Sequence, residues 1–191
     1  MKRTIRLSEA ELVNLVKKVI SEQSSPKVPE DDQEFMDWVA NSTVKPFIAP
    51  NPYDSGDLKL GVQISHNDGQ KLSMMDKNKF FSEIINLIER MDVTTENGKS
   101  VHTFQTLEQD GSGSGLFNHS TFRPKYEVID NSYVVYSLIP QESEFIQKLK
   151  RFSGDNKANK FIVTVTPRLS TDILKTGSKI FTTKPNVLMV T

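Results

Sequence analysis

Short runs with a two-residue apolar period alternate along this chain with runs of helical period, and that alternation constrains the fold more than any other feature. Asp57-Leu-Lys-Leu-Gly-Val-Gln-Ile-Ser65 puts Leu58, Leu60, Val62 and Ile64 on one side of a strand. Tyr126–Ile129 and Tyr133–Ile139 flank Asp130-Asn-Ser132, the pattern of an antiparallel hairpin. Lys160-Phe-Ile-Val-Thr-Val-Thr166 is a β-branched strand closed by Pro167. Glu96-Asn-Gly-Lys99 marks a turn before a strand at Val101–Leu107, and Lys179–Thr182 and Asn186–Val190 read as two further short strands. Helical periodicity appears between them. Asp32–Asn41 reads as a short helix with Phe35, Met36, Trp38 and Val39 on its apolar side. Asp76 caps a helix carrying Phe80, Phe81, Ile84, Ile85, Leu87, Ile88 and Met91. A third begins near Pro140, with Phe145, Ile146, Leu149 and Phe152 inside and Gly154 as its stop. Interspersed helices and antiparallel hairpins predict an α+β domain over residues 33–191, built on one mixed or antiparallel sheet with two or three helices.

Composition narrows the function classes. The 191 residues suffice for one domain, or one domain plus a tail. Lys and Arg sum to 24 and so do Asp and Glu, which argues against a globally basic nucleic-acid binder; no specific nucleic-acid partner is expected. With no cysteine, the chain has no disulfide framework, thiol nucleophile or thiolate metal ligand. Apolar runs such as Tyr133-Val-Val-Tyr136 are far too short to cross a bilayer, so no membrane partner is expected.

The first 22 residues form a unit of their own. Ser8 is suited to N-cap a helix, and Glu11, three residues later, completes a capping box; Leu7 and Leu12 have the spacing of a hydrophobic staple. Glu9 and Glu11 lie at the positive end of the helix dipole and Lys17 and Lys18 near its negative end. Leu12, Leu15, Val16, Val19 and Ile20 make one apolar stripe on a helix expected from about Glu9 to Glu22. Residues 23–32, with two prolines, two serines and three consecutive acids, read as a linker. Acids and lysines interrupt any secretory h-region, and two acids in the first turn argue against a transit peptide. Five basic residues against three acids, with no aromatic anchor, make a weak membrane-surface helix.

This pattern of basic start, Ile-Arg-Leu-Ser-Glu-Ala-Glu-Leu and Lys-Lys-Val-Ile-Ser-Glu resembles the short N-terminal helices of virion proteins of large tailed phages and related marine viruses. In T-even-like phages such helices target internal proteins to the capsid, and a prohead protease removes them after an apolar-x-Glu motif. Ile20-Ser21-Glu22 matches that motif, with the scissile bond expected before Gln23, at a helix-to-linker junction where local unfolding admits a protease. The resemblance implies a virion-associated protein, structural or internal to the head, whose stripe of Leu12, Leu15, Val16, Val19 and Ile20 docks on a capsid or scaffold protein. It places the protein in the virion; the alternative location is the host cytoplasm. The remaining residues carry no resemblance.

Chemistry-bearing constellations are sparse. His66, His102 and His119 have no metal-ligand spacing, so no metal or other cofactor is expected. A triad of Ser120, His119 and Asp110 can be written, but without the strand–turn–helix of a nucleophile elbow, and Gly113 stands where the nucleophile of a Gly-x-Ser-x-Gly loop would be. Asp110-Gly-Ser-Gly-Ser-Gly115 lacks the Lys-Ser/Thr ending of a P-loop, and Asp54-Ser-Gly-Asp57 lacks calcium-loop spacing. No catalytic residue is assigned. A non-catalytic adaptor or binding module is the alternative to the virion reading, and a small enzyme with a site near His102, His119 and the glycine loop is the third.

Overall fold

The computed structural model describes residues 30–53, 56–72, 77–106, 115–117, 124–156, 160–168 and 181–190. The chain divides into two units, Met1–Glu34 and Phe35–Thr191, and all elements below belong to the second apart from the start of the first helix. The expected helix at residues 9–22, with its stripe and its cleavage motif, lies outside the described residues. Three helices and nine strands are described: α1 (Glu30–Ala40), β1 (Ser42–Pro50), β2 (Leu58–His66), α2 (Lys77–Leu87), β3 (Ile88–Thr95), β4 (Ser100–Gln105), β5 (Lys125–Ile129), β6 (Ser132–Ile139), α3 (Glu144–Asn156), β7 (Lys160–Pro167), β8 (Thr182–Thr183) and β9 (Asn186–Met189).

The architecture is mixed α/β and mostly sheet, in keeping with an α+β domain, but the strands form two sheets where the sequence suggested one. The first has the order β5-β6-β2-β1-β8 and the second β4-β3-β7-β9. All pairings are antiparallel except β1 with β8. The last described segment joins them: β8 lies along β1, the Lys184 N–H donates to the Val44 carbonyl, and four residues later Leu188 faces Phe161 of β7. One apolar core runs from Leu60, Val62 and Ile64 of β2, through Phe81 and Ile84 of α2, to Met91, Val93 and Phe161 of the second sheet.

Three local departures from the sequence reading have clear causes. First, Glu30, Asp31 and Asp32, assigned to the linker, are the first residues of α1, and acidic residues are favoured at that end of a helix. That helix buries Phe35, Trp38 and Val39, and it stops where the Ser42 hydroxyl and Asn41 N–H both take the Trp38 carbonyl. Second, Ile88 and Met91 belong to a strand rather than to the end of α2. The register against β7 shifts between Ile88 and Arg90, a bulge that separates two core residues by three positions and so imitates a helical period. The Thr106 hydroxyl and N–H bond back to this kink, the hydroxyl to the carbonyls of Ile88 and Glu89. Third, Gly154 does not stop α3, which continues to Asn156; Ser143 caps its start by accepting the Ile146 N–H at 3.3 Å.

Turns at strand ends are closed by local hydrogen bonds. His66–Gly69 is a turn closed by the Gly69 N–H on the His66 carbonyl. Thr95–Lys99 closes the β3–β4 hairpin, and Asp130, at φ 54°, opens the two-residue β5–β6 turn. The proline-rich stretch after Val44 is extended as β1. Its Pro46 sits past the short reach of β8, where no ladder donor is required, and its carbonyl accepts from the Asn186 amide at 2.9 Å.

Candidate functional site

Side chains that could do chemistry gather at two places among the described residues. On the outer face of the first sheet, Lys59 of β2 reaches Glu127 of β5 at 3.0 Å, and the Tyr136 hydroxyl of β6 donates to the same carboxylate oxygen. The Lys59 ammonium also lies 4.7 Å from the Tyr136 ring centre. The Tyr136 hydrogen bond, with the Lys59 ammonium, holds Glu127 below the usual carboxylate range. Burial, reinforced by Glu127, pushes Tyr136 up, and for Lys59 burial is outweighed by its bonds to Glu127 and Tyr136, so it too rises. All three are held further into their neutral-pH charge states. The cluster ties three strands together and has no group poised to exchange a proton near pH 7.

The second place is the seam between β4 and α3. The His102 ring packs against Phe104 and Phe145, with centroids at 4.4 and 5.6 Å. Its Nδ1 lies 3.4 Å from Lys148 Nζ, which bonds Glu144 at 2.9 Å. Burial lowers the His102 pKa first, the Lys148 charge lowers it further, and Glu144 opposes them. The folded chain therefore binds the His102 proton more weakly than the unfolded chain. Stability from this site is complete above the ordinary value of 6.5 and falls as pH drops through 6.5 towards the lower folded value. An NMR titration should give a His102 midpoint below 6.5, and Lys148→Met should move it upward by removing a like charge. A midpoint at or above 6.5, or no response to K148M, would contradict this geometry.

The other sequence candidates are dispersed. His66 is buried beneath Trp38, and its Nδ1 accepts the Asp68 N–H at 3.2 Å, a packing and turn role. Asp57 accepts the Gln141 N–H at 3.1 Å. Gly115 ends the glycine loop beside Gln105, and the next residues, Leu116 and Phe117, are buried. Asp110, His119 and Ser120, like Leu12, Leu15, Val16, Val19, Ile20, Ser21, Glu22 and Gln23, lie outside the described residues.

A concave feature that the sequence reading missed lies at one end of the fold. A groove of about 180 Å³ is lined by Gly56, Leu58, Ile146, Leu149, Lys150 and Leu188–Val190, apolar save for the lysine. The loop beside it, between β1 and β2, holds Tyr53 at 89% exposure. In β9, Val187 is 53% exposed, and Met189, which lines the groove, is 55% exposed. The signal was present as the alternation Val187-Leu188-Met189, an apolar residue on both faces of one strand. This surface is suited to contact rather than to bond-making.

No protein-family model matches the chain, and no curated protein matches its sequence. Among solved structures, the crystal structure of MtrC from Shewanella baltica OS185 is similar over 91% of this chain, with 11% identity and a TM-score of 0.32. The chain spans 27% of the length of that protein.

Proposed function

We propose that this is a virion-associated protein of a tailed bacteriophage, structural or internal to the head, recruited by its N-terminal helix and cleaved after Glu22. One observation carries the reading: in the sequence, the pattern of a capped amphipathic helix, an apolar-x-Glu tripeptide and a proline- and acid-rich stretch follow one another in that order ahead of Phe35. Capsid targeting uses each part. The stripe Leu12, Leu15, Val16, Val19 and Ile20 seats in a groove of a capsid or scaffold protein. Ile20-Ser21-Glu22 is offered to the protease at the end of the expected helix, and the proline- and acid-rich stretch follows it before α1 begins at Glu30.

The test is the N-terminus of the protein in purified particles, read by intact-mass and peptide mass spectrometry. A chain starting at Gln23 is the expected result. A start at Met1 in particles would leave a docking helix and remove the cleavage. Absence from particles would overturn the reading in favour of an adaptor in the host cytoplasm, for which the apolar groove beside β9 speaks.

A further inference from the structure

The two sheets end in four edge strands among the described residues, and they are not equally protected. An open strand edge is a template for another strand, and proteins blunt it with brevity, charge or a covering loop. β8 has only two residues. β4 carries exposed polar residues, Ser100 and Thr103, and its end is bridged by Gly115. β5 exposes Val128 and Ile129 but sets Lys125 and Glu127 beside them. β9, Asn-Val-Leu-Met, has no charge, and two of its four residues are more than half exposed apolar side chains.

The register shows where those side chains point. Leu188 pairs with Phe161, both buried in the core, whereas Val187 pairs with Ile162 and Met189 with Lys160 on the opposite face. The Val187 N–H is taken at 2.9 Å by the side chain of its own neighbour, Asn186, a local acceptor for an edge donor. The nearby Lys160 is offset by Glu96 at 3.7 Å.

A second copy of this strand is the occupant that the pattern fits. An antiparallel two-fold about Leu188 sets Val187 of each copy opposite Met189 of the other, apolar against apolar, with no charged residue of β9 in the contact. Directly opposed side chains on one face are close enough to pack, with Cβ atoms about 5 Å apart. A like pairing of β5 about its central Glu127 would oppose two carboxylates. We propose that this chain self-associates through β9, two copies pairing antiparallel about Leu188 so that two four-stranded sheets become one of eight strands. The proposal is independent of the virion reading and stands or falls on the folded unit alone.

Because the chain has no cysteine, crosslinking tests it cleanly. Val187→Cys and Met189→Cys are made separately in the full chain, and both positions are exposed enough to leave folding intact, checked by thermal melting. Mixed under mild oxidation, the two variants should form a 187–189 disulfide at least tenfold faster than either variant alone, since like positions are out of register. In sedimentation equilibrium the unmodified chain should dimerise in the micromolar range, with little salt dependence, and Val187→Lys with Met189→Lys should weaken association at least tenfold. A monomer throughout that range overturns the proposal. So does a dimer indifferent to both lysines, or crosslinking no faster in the mixture than in the single variants.

Discussion

Gly61→Ala is expected to destabilise the folded unit by about 3 kcal/mol, at the upper end of overpacking costs. Gly61 lies in β2, paired on one side with Phe47 of β1 and on the other with Tyr136 of β6. A Cβ there would meet the Val135 carbonyl oxygen at 1.9 Å and the Tyr136 Cα at 2.4 Å, both backbone atoms of the neighbouring strand. No rotamer change relieves such a contact, so the central strands would have to part. The glycine is also covered. Phe47 and Tyr136 meet across it with ring centres 5.9 Å apart, filling the space that a side chain would take. Denaturant unfolding followed by the fluorescence of Trp38, the single tryptophan, reads the loss directly. A variant within about 0.5 kcal/mol of the parent, the range of neutral surface substitutions, would show that the strands separate freely here and that the close approach has no energetic weight.

Gly61 also illustrates how far the sequence could be read. Alternation placed Leu58, Leu60, Val62 and Ile64 correctly on the inner side of β2, because a strand with one face on a core must alternate. Nothing in that alternation marks Gly61 as a point of close approach, which depends on β6, more than seventy residues away. The hairpin β5–β6 was legible from its turn chemistry, as was the turn before β4, since both signals are local. The partner of β4 was hidden, because the bulge at Ile88–Arg90 gave β3 a helical spacing and joined it on paper to α2. The division into two sheets was equally hidden: β5, β6, β2 and β1 pair among themselves, as do β4, β3 and β7, and β8 and β9, six strand residues in all, cross from β1 to β7. Periodicity reports which face is buried and not which strand lies alongside.

The same limit governs the candidate site. His102 could be placed on a strand, but its seam with Phe145 and Lys148 joins elements more than forty residues apart. The groove draws on the start of β2, on α3 and on the end of β9, three segments with no common motif. Surfaces for contact are assembled by topology, whereas catalytic motifs often keep a local signature. The N-terminal pattern behind the proposed function is the reverse case: its cap, stripe and apolar-x-Glu tripeptide are entirely local and are read from the sequence without the folded unit.

Trp38→Ala should cost about 4 kcal/mol, in the range for deleting a large buried aromatic. The indole is 4% exposed and lies against His66, Phe80 and Tyr133, at centroid distances of 5.6, 5.7 and 5.6 Å. These rings come from β2, α2 and β6, so the one side chain holds α1 against three other elements. Its Nε1–H donates to the Gln70 carbonyl at 2.9 Å, fixing the chain just after the turn that follows β2. Truncation therefore opens a cavity among aromatic neighbours and removes a donor from a part-buried carbonyl. Trp38→Phe separates the two losses. It keeps much of the apolar volume and deletes the donor, for an expected cost of about 1.5 kcal/mol. Urea unfolding followed by far-UV circular dichroism, which does not depend on the lost fluorophore, measures both variants. If Trp38→Phe cost as much as Trp38→Ala, the hydrogen bond to Gln70 would carry the contribution and ring packing would not. If Trp38→Ala cost under about 1 kcal/mol, well below the range for buried aromatics, α1 would not be part of the cooperative core at all.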